Sequence, residues 1–95
     1  MTKSQYRSEM AMMHEILAIT ADGGHSGANI SNISLKANLS HYVAIEKCEM
    51  LLDAGLMKQY KSERSRIYSV TEKGLTFFRE LERFQNIVRS LNLRY

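Results

Sequence analysis

Apolar side chains recur along this chain with a helical period, lose it once to a short hairpin, and then take it up again to the end. Over residues 4–19, Tyr6, Met10, Met13, Ile16 and Leu17 return at steps of three and four, which places them on one face of a first helix. The run Ala21-Asp22-Gly23-Gly24-His25-Ser26-Gly27 ends it, because three glycines in so short a span make continued helix costly. A shorter second helix follows, with Asn29 or Ser31 as its cap and Ile30, Ile33 and Ala37 facing inward, and it stops before Asn38-Leu39. Ser40 caps a third helix running to about residue 54. Ala44, Cys48, Leu51 and Leu52 share one stripe of it, Tyr42, Val43, Glu46 and Glu49 lie opposite, and Gly55 is placed to close it in a left-handed conformation. Residues 56–60 and 66–70 are rich in aliphatic and aromatic side chains and flank the polar Lys61-Ser62-Glu63-Arg64-Ser65, so they predict a hairpin. Thr71, followed by Glu72, opens a last helix that can continue to the C-terminus.

Two helices joined by a tight turn and followed by a hairpin are the parts of a winged helix-turn-helix. The expected fold is mainly α with a small β-hairpin: a winged helix-turn-helix unit over residues 1–74 and a long C-terminal helix over residues 75–95. In that last helix Phe77, Leu81, Phe84, Val88, Leu91 and Tyr95 alternate at four and three residues, the spacing of a helix that pairs with another. Phe78 and Ile87 widen the stripe, so packing against the first helix is open as well. A chain of 95 residues holds a core near the lower limit of size. A helix of about 20 residues reaches some 30 Å, beyond so small a body. The expectation is a homodimer held by this helix.

Charge then points to a partner. Residues 56–70 hold Lys58, Lys61, Arg64 and Arg66 against Glu63, a local balance of +3 that equals that of the whole chain. Cations gathered on a wing supply the sequence-independent part of nucleic-acid affinity by neutralising phosphate. The start of the third helix brings Ser40, His41, Tyr42 and Val43, with Lys47 further along, to the place where a helix-turn-helix meets base edges. Lys61, Arg64 and Arg66 are assigned to the backbone or the minor groove. Glu46, Glu49 and Asp53 on the same helix oppose phosphate, so affinity per subunit should be modest.

Other classes of function find no support in the residues. The apolar fraction is 44%, yet no apolar run approaches the roughly 20 residues that span a bilayer, so a soluble chain with no membrane partner is expected. Residues 1–7 are polar, without a signal-peptide core, and the lone Cys48 has no partner for a disulfide within the chain, which fits a reducing cytoplasm. Gly23-Gly24-His25-Ser26-Gly27 lacks the spacing of a phosphate loop and has no strand before it. His14, His25, His41 and Cys48 match no common zinc spacing. No enzyme, metal or cofactor is expected, and no motif stands behind a small-molecule effector.

Three phrases carry a family resemblance: Ala37-Asn38-Leu39-Ser40, then Leu51-Leu52-Asp53-Ala54-Gly55-Leu56-Met57, then Tyr68-Ser69-Val70-Thr71-Glu72-Lys73-Gly74. Over nearly its whole length the chain resembles the small archaeal winged-helix DNA-binding proteins, which pair through a long C-terminal helix in an antiparallel coiled coil. The Gly55-Leu56 phrase and the Thr-Glu-Lys-Gly opening of the final helix are also similar to the MarR-like and PadR-like regulators. The resemblance implies a cytoplasmic homodimer that binds double-stranded DNA as a regulator or chromatin component, with residues 40–54 and 61–66 facing DNA. The acidic Glu46 and Glu49 depart from that pattern. They favour the rival reading, a winged-helix adaptor that recruits another protein.

Overall fold

The structure is a computed structural model that describes residues 8–93. Tyr6, with the rest of residues 4–7 that open the predicted first helix, and Tyr95 at the end of the predicted seam lie outside the described residues. Four helices and a three-stranded antiparallel sheet follow in the order α1 (Glu9–Asp22), a 3-10 turn (Gly24–Ser26), β1 (Ala28–Asn29), α2 (Ile30–Ala37), α3 (His41–Asp53), β2 (Met57–Ser62), β3 (Ser65–Val70) and α4 (Glu72–Ser90).

Caps set most of these bounds. Ser8 is extended and accepts a hydrogen bond from Ala11 N, so α1 starts at Glu9, later than the predicted Ser4, because the hydroxyl takes over a backbone donor that continued helix would occupy. Asn29, Ser40 and Thr71 cap α2, α3 and α4 in the same way, accepting from Asn32 N, Val43 N and Gly74 N. Three helices also end alike. Asn38, Gly55 and Asn92 are left-handed, and the residue after each donates back five positions: Leu39 to Ser34, Leu56 to Leu51, and Leu93 to Val88. The last of these stops α4 at Ser90, short of the C-terminus that the sequence pattern allowed it to reach.

The sheet differs from the expected hairpin in two ways. Its turn is the two-residue Glu63-Arg64, with Glu63 at φ +50°, so Lys61 belongs to β2 and not to a five-residue loop. A third strand, β1, pairs with β3 through Ala28 with Tyr68 and Asn29 with Ile67, where the sequence pattern predicted only loop and cap. Two residues are too few to express a strand period, and their partner lies about 40 residues downstream.

Met13, Ile16 and Leu17 of α1, Ile33 and Ala37 of α2, Ala44, Cys48 and Leu51 of α3, and Leu56, Met57 and Tyr68 form one core, with Phe77 and Phe78 of α4 packed against it. Thr20 is buried with its hydroxyl donating to the Ile16 and Leu17 carbonyls. The His14 ring stacks on Phe78 at 4.8 Å and ties α1 to α4. At the α3–α4 corner two of the family phrases meet: Thr71 Oγ1 donates to the Gly55 carbonyl at 2.7 Å and Lys73 Nζ to the Ala54 carbonyl at 3.0 Å. A Cβ on Gly74 would collide with the Leu56 carbonyl, so only glycine lets α4 start this close to the end of α3.

Candidate nucleic-acid interface

The α2–α3 turn is built from one left-handed residue, Asn38, then Leu39 and the cap Ser40, and it leaves the start of α3 prominent. His41 and Tyr42 are exposed there, Tyr42 at 80%, while Val43 is half-buried and Ser40 is exposed with its oxygen engaged by Val43 N. By the 3.6-residue period Tyr42, Glu46, Glu49 and Asp53 share one face of α3, and all four are exposed.

Lys47 departs from the sequence expectation. It lies on the inward stripe with Ala44, Cys48 and Leu51, is 9% exposed, and its ammonium reaches Glu9 Oε2 on α1 at 3.1 Å. Its distance to Glu46 Oε1 is 4.0 Å. The aliphatic stem fills space beside the core while the head finds the half-exposed Glu9 at the rim, a snorkelling arrangement that the sequence pattern did not reveal. A lysine one position from the core stripe, with a carboxylate available on another helix, was the only signal. Its consequence is that the exposed face of α3 presents carboxylates without a lysine or arginine among them.

Positive charge is instead on the wing. Antiparallel pairing puts Lys61 directly opposite Arg66 on the sheet face that also carries Met57, Gln59 and Tyr68. Like charges so placed repel unless an anion lies between them and solvent. Arg64 of the turn and Arg66 of β3 reach toward the helices and, with Asn29, Ser31 and His41, line a cleft of about 380 Å³ between the start of α2, the start of α3 and the wing. Neither arginine is ion-paired among the described residues. The first N–H groups of α2 lack intrahelical acceptors and carry the positive end of the helix dipole. Cations, a helix start and hydrogen-bond donors therefore converge on one concave surface beside α3, which is chemistry suited to an anion.

Other candidates have a different fate. Cys48 is fully buried and its thiol is pushed up from 9.0 to about 12, first by burial and then by the charge of Glu49, so it stays protonated and unreactive. Among the described residues no three His, Cys, Asp or Glu side chains group as a metal site needs, and no helix is long and apolar enough to cross a membrane.

The residues of the expected pairing seam on α4 fall into two sets. Leu81 and Val88 are buried within the chain, and together with Gly74 they mark the inward line of the helix. Phe77 is half-buried on the core. Phe84, Leu91 and Ile87 form a second, lateral line at 47%, 62% and 53% exposure.

The profile of the winged helix-turn-helix family matches residues 6–89. Among solved structures, Sso10a-2, a DNA-binding protein from Sulfolobus solfataricus, superposes with a TM-score of 0.81 at 24% identity over 90% of this chain and 86% of that one. A MarR-family transcriptional regulator from Rhodococcus superposes at 0.79 with 13% identity, over 85% of this chain but only 58% of the regulator. A protein from Archaeoglobus fulgidus, AF1382, superposes at 0.71 with 17% identity over 90% and 92% of the two chains. No curated protein matches by sequence.

Proposed function

The chain belongs to the winged helix-turn-helix family, and from that premise we propose that it acts as a cytoplasmic homodimer that binds double-stranded DNA as a transcription regulator. The observation that carries this reading is the convergence of Arg64, Arg66, His41 and the start of α2 on one cleft beside the start of α3. A B-form duplex laid across it presents phosphates to that cleft and its major groove to Ser40, His41, Tyr42 and Val43, while Lys61 follows the backbone or minor groove along the wing. Lys47 has no part in this interface, since its charge is held by α1. The neighbours Sso10a-2 and the Rhodococcus regulator are described respectively as a DNA-binding protein and a transcriptional regulator, and both descriptions agree with the reading.

Residues 1–74 then serve as the DNA-binding unit and residues 75–95 as the dimerisation helix. Phe84, Ile87 and Leu91 offer a ready contact for the same line on a second copy. Two subunits joined in this way make two modest contacts act as one, which compensates for the acidic face of α3.

Fluorescence anisotropy on random-sequence duplex at low and moderate salt, with oligomeric state measured in the same buffer, tests the reading. Binding that falls steeply with salt supports it. No binding at low salt overturns it in favour of the adaptor, for which the exposed Glu46, Glu49 and Asp53 of α3 would be the docking surface.

A further inference from the structure

Resting on the DNA-binding reading above, we infer that Glu46 is a specificity-determining residue that selects cytosine in the major groove by accepting a hydrogen bond from its exocyclic amino group. Tyr42 and Glu46 lie one helical turn apart on the same exposed face of α3, just past the helix start that meets base edges in this architecture. The Glu46 side chain is 57% exposed. The cation next in sequence pairs with it only at the limit of ion-pair distance: the Lys47 ammonium is 4.0 Å from Glu46 but 3.1 Å from Glu9, so the Glu46 carboxylate keeps most of its charge open to solvent. A carboxylate carried into the groove in this state is repelled by every phosphate nearby, so its presence lowers affinity for any sequence that gives it nothing in return.

Few groups in the major groove can give it something. An ionised carboxylate only accepts hydrogen bonds. Guanine N7 and O6 and thymine O4 are acceptors too, and they add repulsion, whereas cytosine offers the N4 amino group as a donor. Adenine has a donor at N6, but its neighbouring N7 acceptor suits an amide, which both gives and takes, better than a carboxylate. Non-specific attraction thus belongs to the wing and the α2 start, and discrimination belongs to Glu46. Glu49 lies further along the same face and takes part only as charge.

The test is selection of preferred duplexes from a random pool by the full chain, compared with Glu46→Gln, Glu46→Asp and Glu49→Gln. The wild-type protein is expected to enrich cytosine at one position per subunit contact, with guanine or thymine there costing about tenfold in affinity. Glu46→Gln should raise affinity for random duplex several-fold and exchange the selected cytosine for adenine. Glu46→Asp, which keeps the acceptor on a shorter stem, should retain cytosine at reduced affinity, and it carries the test if the glutamine variant does not fold. Glu49→Gln should raise affinity for random duplex and leave the selected base unchanged. The inference is overturned, with DNA binding still standing, if wild type and Glu46→Gln both bind duplex and select the same bases, if wild type selects none, or if the base changes with Glu49→Gln instead. Absence of duplex binding by the wild type at low salt overturns both the inference and the reading beneath it.

Discussion

Lys47 and Cys48 are neighbours on α3, and burial changes the chemistry of each. The Lys47 stem is packed beside the core and its ammonium is met at the rim by Glu9. Replacing it by methionine keeps the stem volume and removes ion pairs to two half-exposed carboxylates, Glu9 and the more distant Glu46, so stability should change by no more than about 1 kcal/mol. Duplex affinity should stay within about twofold, as read by anisotropy. A loss equal to that of Arg64→Ala would put Lys47 back among the DNA contacts. The Cys48 thiol, raised from 9.0 to about 12, binds its proton more tightly in the folded chain than in the unfolded one. Its contribution is complete below pH 9 and is lost as pH rises from about 9 to 12. Cys48→Ala should be less stable at neutral pH through the cavity it leaves, yet lose less stability over that alkaline range, as measured by urea unfolding at a series of pH values. Parallel pH curves for the two proteins would contradict the assignment. Caps are the residues most readily read in advance: Ser40, Thr71 and Gly55 act where sequence reasoning put them, and of the two candidates Asn29 and Ser31 it is Asn29 that caps α2, because a cap depends on the few residues around it.

The wing is the element on which affinity should turn. Its two-residue turn projects Arg64, and the register that follows sets Lys61 against Arg66, so the charge is concentrated by strand pairing and not only by composition. Arg64→Ala and Arg66→Ala should each weaken binding by a similar factor on every duplex tested and reduce the salt slope by about one. Unchanged affinity in a folded variant would remove the wing from the interface. The wing's existence was legible because two apolar runs flank a polar one; its exact turn was not, since Glu63 in a left-handed conformation bears none of the usual glycine or asparagine signature. Strand β1 was hidden for a related reason: nothing local in Ala28-Asn29 distinguishes a strand from a loop until β3 lies beside it.

At the scale of the molecule, the chain is longer in one direction than its size requires, with extents of 45 × 33 × 21 Å and a radius of gyration of 13.6 Å against about 12 Å for a compact chain of this length. α4, with 19 residues, is the longest helix among the described residues and extends about 28 Å. Its inward line of Leu81 and Val88 is buried, while Phe84 and Ile87, with Leu91 at its C-cap, are about half exposed or more. Phe84→Glu should leave the subunit folded and split the proposed dimer, because a carboxylate at that half-exposed position would be buried unpaired in the pair. Leu81→Glu should unfold the subunit. Sedimentation and circular dichroism distinguish the two, and a persistent dimer in folded Phe84→Glu would exclude this line as the contact.

The sequence by itself determined the helices, the caps at Ser40 and Thr71, the presence of the hairpin and the concentration of cations on the wing, since each is settled by contacts within a few residues or by a period repeated along one element. Tertiary structure decided what depended on a partner distant in the chain: the third strand, the withdrawal of Lys47 to Glu9, and the division of the α4 stripe into a buried line and an exposed one. A hydrophobic period specifies that a face will be covered, but not by what. Only the packing of α1 against α3 and α4 settles which apolar or charged side chains the fold uses for itself and which it leaves to solvent or to a partner.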